Sequence, residues 1–167
     1  MLELVLHSLT DTEALGRILG RGARAGDLLL LSGNLGAGKT TLTQFIAAGL
    51  DVPPECYVIS PSFSLLLEYP GRLPLYHIDC YRLGGEDDVE GSGLMDYIVA
   101  DGVTVVEWPD RLGRLTPPDR LEITLSDAGD GARNVRLVPH GQQWRERLAD
   151  LHQACIAASL IARIDES

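Results

Sequence analysis

The stretch Leu28-Leu-Leu-Leu-Ser-Gly33-Asn-Leu-Gly-Ala-Gly38-Lys39-Thr40-Thr41 decides the fold. Its second half fits the P-loop pattern G-x-x-x-x-G-K-[ST], in which glycines let backbone N–H groups surround phosphate oxygens. In that pattern the Lys39 ammonium group reaches the β- and γ-phosphates, and the Thr40 hydroxyl can ligate Mg²⁺. The leucines predict a buried strand, and the residues after Thr40 have helical spacing. We therefore predict a strand, a phosphate-binding loop and a helix that together bind a nucleotide.

Composition and charge restrict the remaining possibilities. The chain has 167 residues and a net charge of −10, which predicts a single domain, residues 1–167, without a broad surface for nucleic acid. We expect any contact with RNA to be indirect, through a partner. The three cysteines are widely spaced and predict neither a disulfide framework nor a zinc site. Without a signal-peptide pattern or an apolar run of membrane-spanning length, we predict a cytoplasmic protein with no membrane contact.

The chain before the P-loop predicts one strand and one helix. Residues 2–6 alternate between apolar and polar side chains, which indicates an edge or half-buried strand. Thr10 as N-cap and Glu13 three residues later predict a capping box at the start of the helix. Gly20, Gly22 and Gly26 are interpreted as signals that end it.

After the P-loop, the patterns predict a mixed sheet. Residues 64–69 and 74–79 predict one hairpin, residues 120–125 and 133–138 predict a second, and residues 102–107 predict a buried strand between them. The acidic segment 84–93 predicts a solvated loop or a short surface helix, and residues 94–99 another short helix. An amphipathic helix is predicted after Gly141, followed by a tail from Ile161 that frays. The fold class is α/β: a P-loop NTPase-like three-layer fold with a parallel core and antiparallel hairpins.

Two predicted strands end in carboxylates that could complete a hydrolysis site. Residues 75–79 resemble a Walker B strand ending in Asp79, and the strand ending in Glu107 has the same form. ATP hydrolysis needs Mg²⁺ to spread charge and a carboxylate to hold the metal or to orient water. Either carboxylate could serve the metal, and the other could position the attacking water. Ser60 and Ser62 are candidates for a loop that senses the γ-phosphate. His77 is interpreted as a packed or orienting histidine in preference to a general base, which stays an alternative.

These residues together carry a family resemblance. Gly33-Asn-Leu-Gly-Ala-Gly-Lys-Thr-Thr41, Ser60-Pro-Ser-Phe63, His77-Ile-Asp-Cys-Tyr-Arg82 and Val106-Glu-Trp-Pro109 occur in this order over about residues 5–140 and resemble the TsaE (YjeE) family. The resemblance implies an ATPase that works with the TsaB and TsaD proteins in tRNA threonylcarbamoyladenosine synthesis. It implies weak Mg²⁺-dependent ATP hydrolysis, and it implies that TsaB and TsaD, not this chain, perform the transfer to tRNA. Residues 141–167 fall outside the clear match.

The resemblance also implies roles for individual residues. Asp79 and Glu107 are needed for hydrolysis, and Thr40 and Glu107 serve Mg²⁺. The residues expected to contact ATP lie in the first helix, in the P-loop and after the last buried strand: Thr10, Thr12, Asn34, Leu35, Gly36, Ala37, Gly38, Lys39, Thr40, Thr41 and Trp108.

The P-loop is also compatible with three functions other than that of an ATPase. A small-molecule kinase would need an arginine-rich lid, which the scattered Arg111, Arg114 and Arg120 fit poorly. A GTPase would need a guanine-reading motif with a second lysine, and Lys39 is the only lysine in the sequence. A nucleotide-gated binding module, in which turnover is incidental, stays open as an alternative.

Overall fold

Within residues 1–164, which a computed structural model describes, eight strands form one mixed sheet. The strands are β1 Leu2–Leu6, β2 Leu28–Ser32, β3 Leu66–Tyr69, β4 Leu75–Asp79, β5 Val103–Glu107, β6 Arg120–Gly129, β7 Ala132–His140 and β8 Ile161–Ile164. The helices are α1 Leu9–Gly22, α2 Lys39–Gly49, α3 Glu86–Ser92, α4 Met95–Ile98 and α5 Gln142–Ala157, with a 3₁₀ helix over Pro109–Leu115.

The sheet has a parallel centre and antiparallel flanks. Its order is β3-β4-β5-β2-β6-β7-β1-β8, and the neighbours from β4 through β5 and β2 to β6 run parallel. The hairpins β3–β4 and β6–β7 add antiparallel strands on either side. The predicted α/β fold with a mixed sheet is confirmed.

Helices cover both faces around the P-loop strand. Alternate leucines of β2 point to opposite faces: Leu29 and Leu31 join the core that contains α1 and α2, whereas Leu28 and Leu30 join the core of α3, α4 and the 3₁₀ helix. A strand that is buried on both faces reads as a continuous apolar run, which is why the four leucines predicted it. The three-layer arrangement places the end of β2, and therefore the P-loop, at the centre of one sheet edge.

The start of the first helix differs from the prediction. The N-cap is Ser8, whose hydroxyl accepts from the backbone N–H of Asp11 across 3.2 Å, and the Asp11 carboxylate accepts from the N–H of Ser8 across 3.1 Å. Thr10, the predicted N-cap, and Glu13 both lie inside α1. The sequence contains two overlapping capping boxes, and the earlier box gives a longer helix with more backbone hydrogen bonds.

Gly20, which the sequence predicted to end α1, lies inside that helix at its contact with α2. Gly16 and Gly20 lie inside α1 and are buried, and a Cβ at Gly20 would collide with the backbone of Ile46 and Gly49 in α2. A Cβ at Gly49 would in turn lie 2.7 Å from the carbonyl oxygen of Arg17. The glycines therefore allow α1 and α2 to approach closely, and α1 ends later, at Gly22.

The two ends of the chain pair with each other. β8 runs antiparallel to β1, with Leu2 opposite Ile164 and Val5 opposite Ile161. Of the two alternatives predicted for β1, the half-buried strand is confirmed by its alternating burial, and the edge position is wrong. The prediction of a fraying tail from Ile161 is wrong for the described residues; the acidic end, residues 165–167, lies outside them. A pairing between strands at opposite ends of the sequence has no local signal. None of the helices in residues 1–164 combines the length and the apolar character required to cross a membrane.

Candidate nucleotide site

The carboxyl ends of three neighbouring parallel strands form the candidate site. Glu107 at the end of β5 lies opposite Leu31 of β2 on one side and opposite Asp79 of β4 on the other. The P-loop leaves the sheet directly after β2. Because parallel strands end at the same sheet edge, the loop and both carboxylates meet there, as the sequence predicted.

The P-loop backbone takes conformations that favour glycine. Gly36 and Gly38 have φ angles of 78° and 103°, in the left-handed region. A Cβ at Gly33 would lie 2.6 Å from the carbonyl oxygen of Leu125, so the start of the loop is also closely packed. Gly38 is the N-cap of α2, and no side chain caps that helix. The first backbone N–H groups of a helix lack intrahelical partners, so α2 offers them to an anion.

Lys39 is held at the base of the loop. Its ammonium group donates to the carbonyl oxygens of Gly33 and Asn34 across 2.7 and 3.0 Å, and it lies 4.3 Å from the centroid of the Trp108 ring. Burial lowers the pKa of Lys39, an effect opposed by the neighbouring carboxylates of Glu107 and Asp79. The buried cation is therefore compensated by carbonyls, an aromatic face and two carboxylates.

Glu107 connects the P-loop helix to β4. Its Oε1 accepts a hydrogen bond from Thr40 Oγ1 across 2.9 Å and lies 2.8 Å from Nε2 of His77. Glu107 and His77 are both buried. The sequence left open which carboxylate stands next to Thr40. The structure places Glu107 there, because β5 and not β4 is the neighbour of β2, although β4 had the Walker B resemblance.

Asp79 has a separate set of partners. Its Oδ2 accepts from the Ser60 hydroxyl across 2.7 Å, and its Oδ1 accepts from the backbone N–H of Tyr81 across 2.8 Å. Ser60 lies in the segment that the sequence singled out, whereas Tyr81 was missed as a site residue. The only signal for Tyr81 was its place directly after Asp79 in the His77–Arg82 motif.

An aromatic pair adjoins the lysine. Trp108 has a φ angle of 58°, an uncommon conformation for a residue with a side chain, at the point where the chain leaves β5. Its ring lies 4.9 Å from that of Tyr81, centroid to centroid. Pro109 then begins the 3₁₀ helix. The predicted corner after Glu107 is present, and it directs the indole towards Lys39.

The cleft between these elements has a volume of about 360 Å³. It is lined by P-loop residues, both carboxylates, both serines and the aromatic pair: Leu35, Gly36, Gly38, Lys39, Thr40, Thr41, Ser60, Ser62, Asp79, Tyr81, Arg82, Glu107 and Trp108. Asn34 and Ala37 belong to the loop but do not line the cleft. Thr10 and Thr12 lie in the first turn of α1 and do not line it either, so their predicted contact with ATP stays a prediction.

Exposed apolar side chains lie at the tip of the P-loop and in the segment before β3, whose Ser60 and Ser62 line the cleft. Leu35 at the loop tip is 81% exposed, and Tyr57, Ile59 and Phe63 of the segment before β3 are also exposed. The Arg82 guanidinium lies 4.1 Å above the ring of Phe63. We call Leu35, Tyr57, Ile59 and Phe63 the rim. Exposed aromatic and aliphatic side chains that form a contiguous patch are typical of contact surfaces.

The residues present fit a magnesium nucleotide. Free N–H groups at the start of α2 and the Lys39 ammonium suit phosphates. Thr40 and Glu107 offer oxygen atoms, the ligand type that Mg²⁺ prefers. Magnesium sites in proteins need only one or two carboxylates in addition to the phosphates.

The chain is similar to proteins of one family. The family model described as "Threonylcarbamoyl adenosine biosynthesis protein TsaE" matches residues 6–135. A Bacillus subtilis protein named tRNA threonylcarbamoyladenosine biosynthesis protein TsaE is 40% identical over 135 residues, which are 80% of this chain and 83% of the relative. A protein of the same name from Treponema pallidum is 37% identical, and the match covers 78% of this chain and 96% of the relative. Another from Streptomyces coelicolor is 41% identical, and the match covers 78% of this chain and 91% of the relative.

A solved structure agrees with these sequence matches. The crystal structure of YdiB from Bacillus subtilis superposes with a TM-score of 0.79 at 32% sequence identity. The superposition covers 92% of this chain and 95% of the YdiB chain.

Proposed function

The chain belongs to the TsaE family, and from that premise we propose that it binds and slowly hydrolyses ATP with Mg²⁺ as an accessory protein of the TsaB–TsaD complex. Family members are named for tRNA threonylcarbamoyladenosine biosynthesis. The proposal gives this chain the energy-consuming part of that process, in the cytoplasm, and leaves the transfer to tRNA to the partner proteins.

One observation carries the ATPase proposal. The hydrogen bond of 2.9 Å from Thr40 to Glu107 joins the last residue of the P-loop pattern to a buried carboxylate on the adjacent strand. A hydroxyl that donates its hydrogen to a carboxylate turns its lone pairs away from that carboxylate, which suits it to ligate a cation. A glycine-rich turn without a nucleotide would have no need of a buried acid at this position.

Each residue has a definite task in this proposal. The backbone N–H groups of Gly36 and of residues 38–41 and the Lys39 ammonium bind the phosphates of ATP, whereas the N–H of Ala37 donates to the carbonyl oxygen of Asn34. Thr40 and Glu107 hold Mg²⁺, which spreads the charge of the phosphates when bound. The Trp108 ring faces the Lys39 ammonium group, 4.3 Å from the ring centroid, and helps to hold it beside the phosphates.

Asp79 is proposed to position the attacking water. Ser60 and the N–H of Tyr81 fix its two oxygens, and each oxygen keeps a lone pair for a further donor. Because the carboxylate lines the cleft and does not contact Thr40, it is available for water while Glu107 serves the metal. This division of roles places one acid on each of two neighbouring strands.

Two arginines argue against a kinase. Of the three arginines considered for a lid, Arg111 lies 3.8 Å from a carboxylate oxygen of Asp110. The other two, Arg114 and Arg120, form ion pairs with Glu86 and Glu122 at 2.7 and 2.8 Å. Neither lines the cleft. This arrangement supports hydrolysis over transfer to a small acceptor.

The rim supports the partner proposal. It consists of exposed apolar side chains of the P-loop tip and of the segment that carries Ser60 and Ser62, on a chain of net charge −10. We propose that TsaB–TsaD meets this chain at the rim and that tRNA is reached only through that complex. Ser60 links the segment that carries Tyr57, Ile59 and Phe63 to Asp79.

Two measurements test the proposal. We expect slow Mg²⁺-dependent release of phosphate from ATP by the purified protein, abolished in Lys39→Ala and Glu107→Ala and retained in Glu3→Ala, whose carboxylate lies on an exposed part of β1. Hydrolysis at the wild-type rate in both site variants would contradict the site. We also expect a pull-down with ATP and Mg²⁺ to recover TsaB and TsaD, and Phe63→Ser to reduce the recovery.

The outcomes separate the alternatives. Recovery of TsaB and TsaD with ATP by a variant that binds ATP but does not hydrolyse it would favour the nucleotide-gated module. Hydrolysis by the wild-type protein without any recovery of TsaB or TsaD would leave an ATPase and overturn the partner proposal.

A further inference from the structure

His77 is a buried histidine whose role the hydrolysis scheme leaves unassigned. It lies in the middle of β4, between Leu67 of β3 and Val105 of β5, and its side chain has no exposed surface. It shares the face of β4 with Asp79, two residues further along. A histidine at such a position is costly to bury unless its ring nitrogens have partners.

The ring has one hydrogen-bonding partner among the described residues. Nε2 lies 2.8 Å from Oε1 of Glu107, whereas Nδ1 is buried and has none. The orientation of the ring is therefore determined by the carboxylate and by packing. The ring does not line the cleft, so the structure does not place it where a general base would take a proton.

Both hydrogen bonds to the Glu107 side chain end on the same carboxylate oxygen. Thr40 Oγ1 and His77 Nε2 both approach Oε1, at 2.9 and 2.8 Å. Within residues 1–164 no hydrogen bond is made to Oε2. Since a carboxylate only accepts hydrogen bonds, the histidine nitrogen must carry the hydrogen in this contact. Two donors on one oxygen hold the carboxylate in one rotamer with the other oxygen available.

We propose that His77 is a positioning residue: its Nε2–H holds Oε1 of Glu107 so that the second carboxylate oxygen and the Thr40 hydroxyl serve one Mg²⁺ ion. This inference rests on the proposed function, because it assigns to His77 the orientation of the proposed metal carboxylate. Residues that form hydrogen bonds with a metal ligand fix the orientation of that ligand. Their removal lowers metal affinity or activity about 10- to 100-fold.

The length of the side chain provides a sharp test. His77→Gln places an amide N–H near the position of Nε2, whereas His77→Asn places it near Nδ1, one bond too short to reach Glu107. His77→Leu removes the donor. The probe is a fluorescent N-methylanthraniloyl ADP, titrated with and without Mg²⁺. His152→Gln on α5 is the matched control.

We expect the Mg²⁺-dependent gain in nucleotide affinity to fall about 10- to 100-fold in His77→Leu and His77→Asn, and to recover in His77→Gln. Affinity measured without Mg²⁺ should stay at the wild-type value in all three variants. A purely structural role for His77 would lower both affinities together, or would make Gln and Asn equivalent, and either result would overturn the proposal. If the Leu variant does not fold, the Gln and Asn pair decides.

A spectroscopic measurement tests the same point without nucleotide. Histidine ring ¹⁵N correlations of the wild-type protein, assigned by the signals lost in His77→Gln, should show the hydrogen on Nε2. A ring with the hydrogen on Nδ1 alone would overturn the proposal. Failure of the proposed function can be told apart from failure of the His77 inference. In the first case the wild-type protein itself would show no Mg²⁺-dependent nucleotide binding, which would overturn both.

Discussion

Thr40, in the first turn of α2, donates a hydrogen bond from Oγ1 to Oε1 of Glu107, at the end of β5, across 2.9 Å. The two residues are 67 positions apart in the chain. They meet because β5 inserts between β4 and the P-loop strand β2.

This contact predicts how Thr40 responds to substitution. Thr40→Val keeps the shape and removes the hydroxyl, so we expect Mg²⁺-dependent nucleotide binding to weaken about tenfold or more, the order of loss seen when a metal-site partner is removed. Thr40→Ser keeps the hydroxyl and should bind like the wild type. Nucleotide titration with and without Mg²⁺ measures both. Equal binding by the Val and Ser variants would show that the hydroxyl does not serve the metal.

A buried ion pair predicts that α5 stabilises the domain. Arg147 forms hydrogen bonds of 2.7 and 2.8 Å with the two carboxylate oxygens of Asp27, directly before β2. Arg147→Ala leaves the buried Asp27 carboxylate with only the backbone N–H of Arg24 as a donor among the described residues, so we expect the free energy of unfolding to fall by about 3 kcal/mol. Urea denaturation measures the change.

The exposed pair of Arg136 and Glu3 is the control for Arg147. Their side chains are 57% and 47% exposed, and we expect Arg136→Ala to change the free energy of unfolding by at most about 1 kcal/mol. Equal losses of the free energy of unfolding in Arg147→Ala and Arg136→Ala would show that the Arg147–Asp27 pair does not stabilise the packing of α5.

The glycines of α1 give a third prediction. Gly20→Ala introduces a Cβ into the backbone of α2, and we expect it to cost about 1–3 kcal/mol in the free energy of unfolding. A Cβ at Gly22, two residues later, has no atom within 4 Å, so Gly22→Ala should be neutral or stabilise by up to about 1 kcal/mol. Thermal or urea unfolding distinguishes them, and equal effects would contradict the close contact between α1 and α2.

Thiol reactivity gives a fourth prediction. Burial raises the pKa of Cys80 to about 12 and that of Cys155 to about 11, so neither forms a thiolate near neutral pH. A thiol-specific reagent at pH 8 should modify the partly exposed Cys56 in the native protein and all three cysteines after unfolding. Rapid native modification of Cys56→Ser, which retains only the two buried thiols, would refute this expectation.

The same shifts predict alkaline instability. The unfolded chain releases thiol protons near the ordinary pKa of 9, whereas the folded protein keeps them up to about 11 and 12. Between these values the folded state binds more protons than the unfolded state, so the free energy of unfolding falls as pH rises above 9. Denaturation of Cys80→Ala between pH 8 and 10 should show a shallower loss than the wild type.

Local patterns predicted most of the elements. The four leucines, the P-loop and the alternation in both hairpins are signals within a few residues, and the corresponding strands and helices are present. Errors arose where two local signals competed, as with Ser8 and Thr10 at the first N-cap, or where a glycine had a contact elsewhere, as with Gly20. The pairing of β8 with β1 was missed because its two strands are at opposite ends of the sequence.

By itself, the sequence determined the chemistry available at the site: a loop for phosphates, Lys39, the Thr40 hydroxyl and two carboxylates at strand ends. Those identities follow from residue type and spacing, which are properties of the chain. Only the tertiary structure decided that Glu107 stands against Thr40, that Asp79 is held by Ser60, and that His77 faces Glu107. The strand order β4-β5-β2 sets these contacts. Strand order depends on packing between distant segments, which no local pattern encodes.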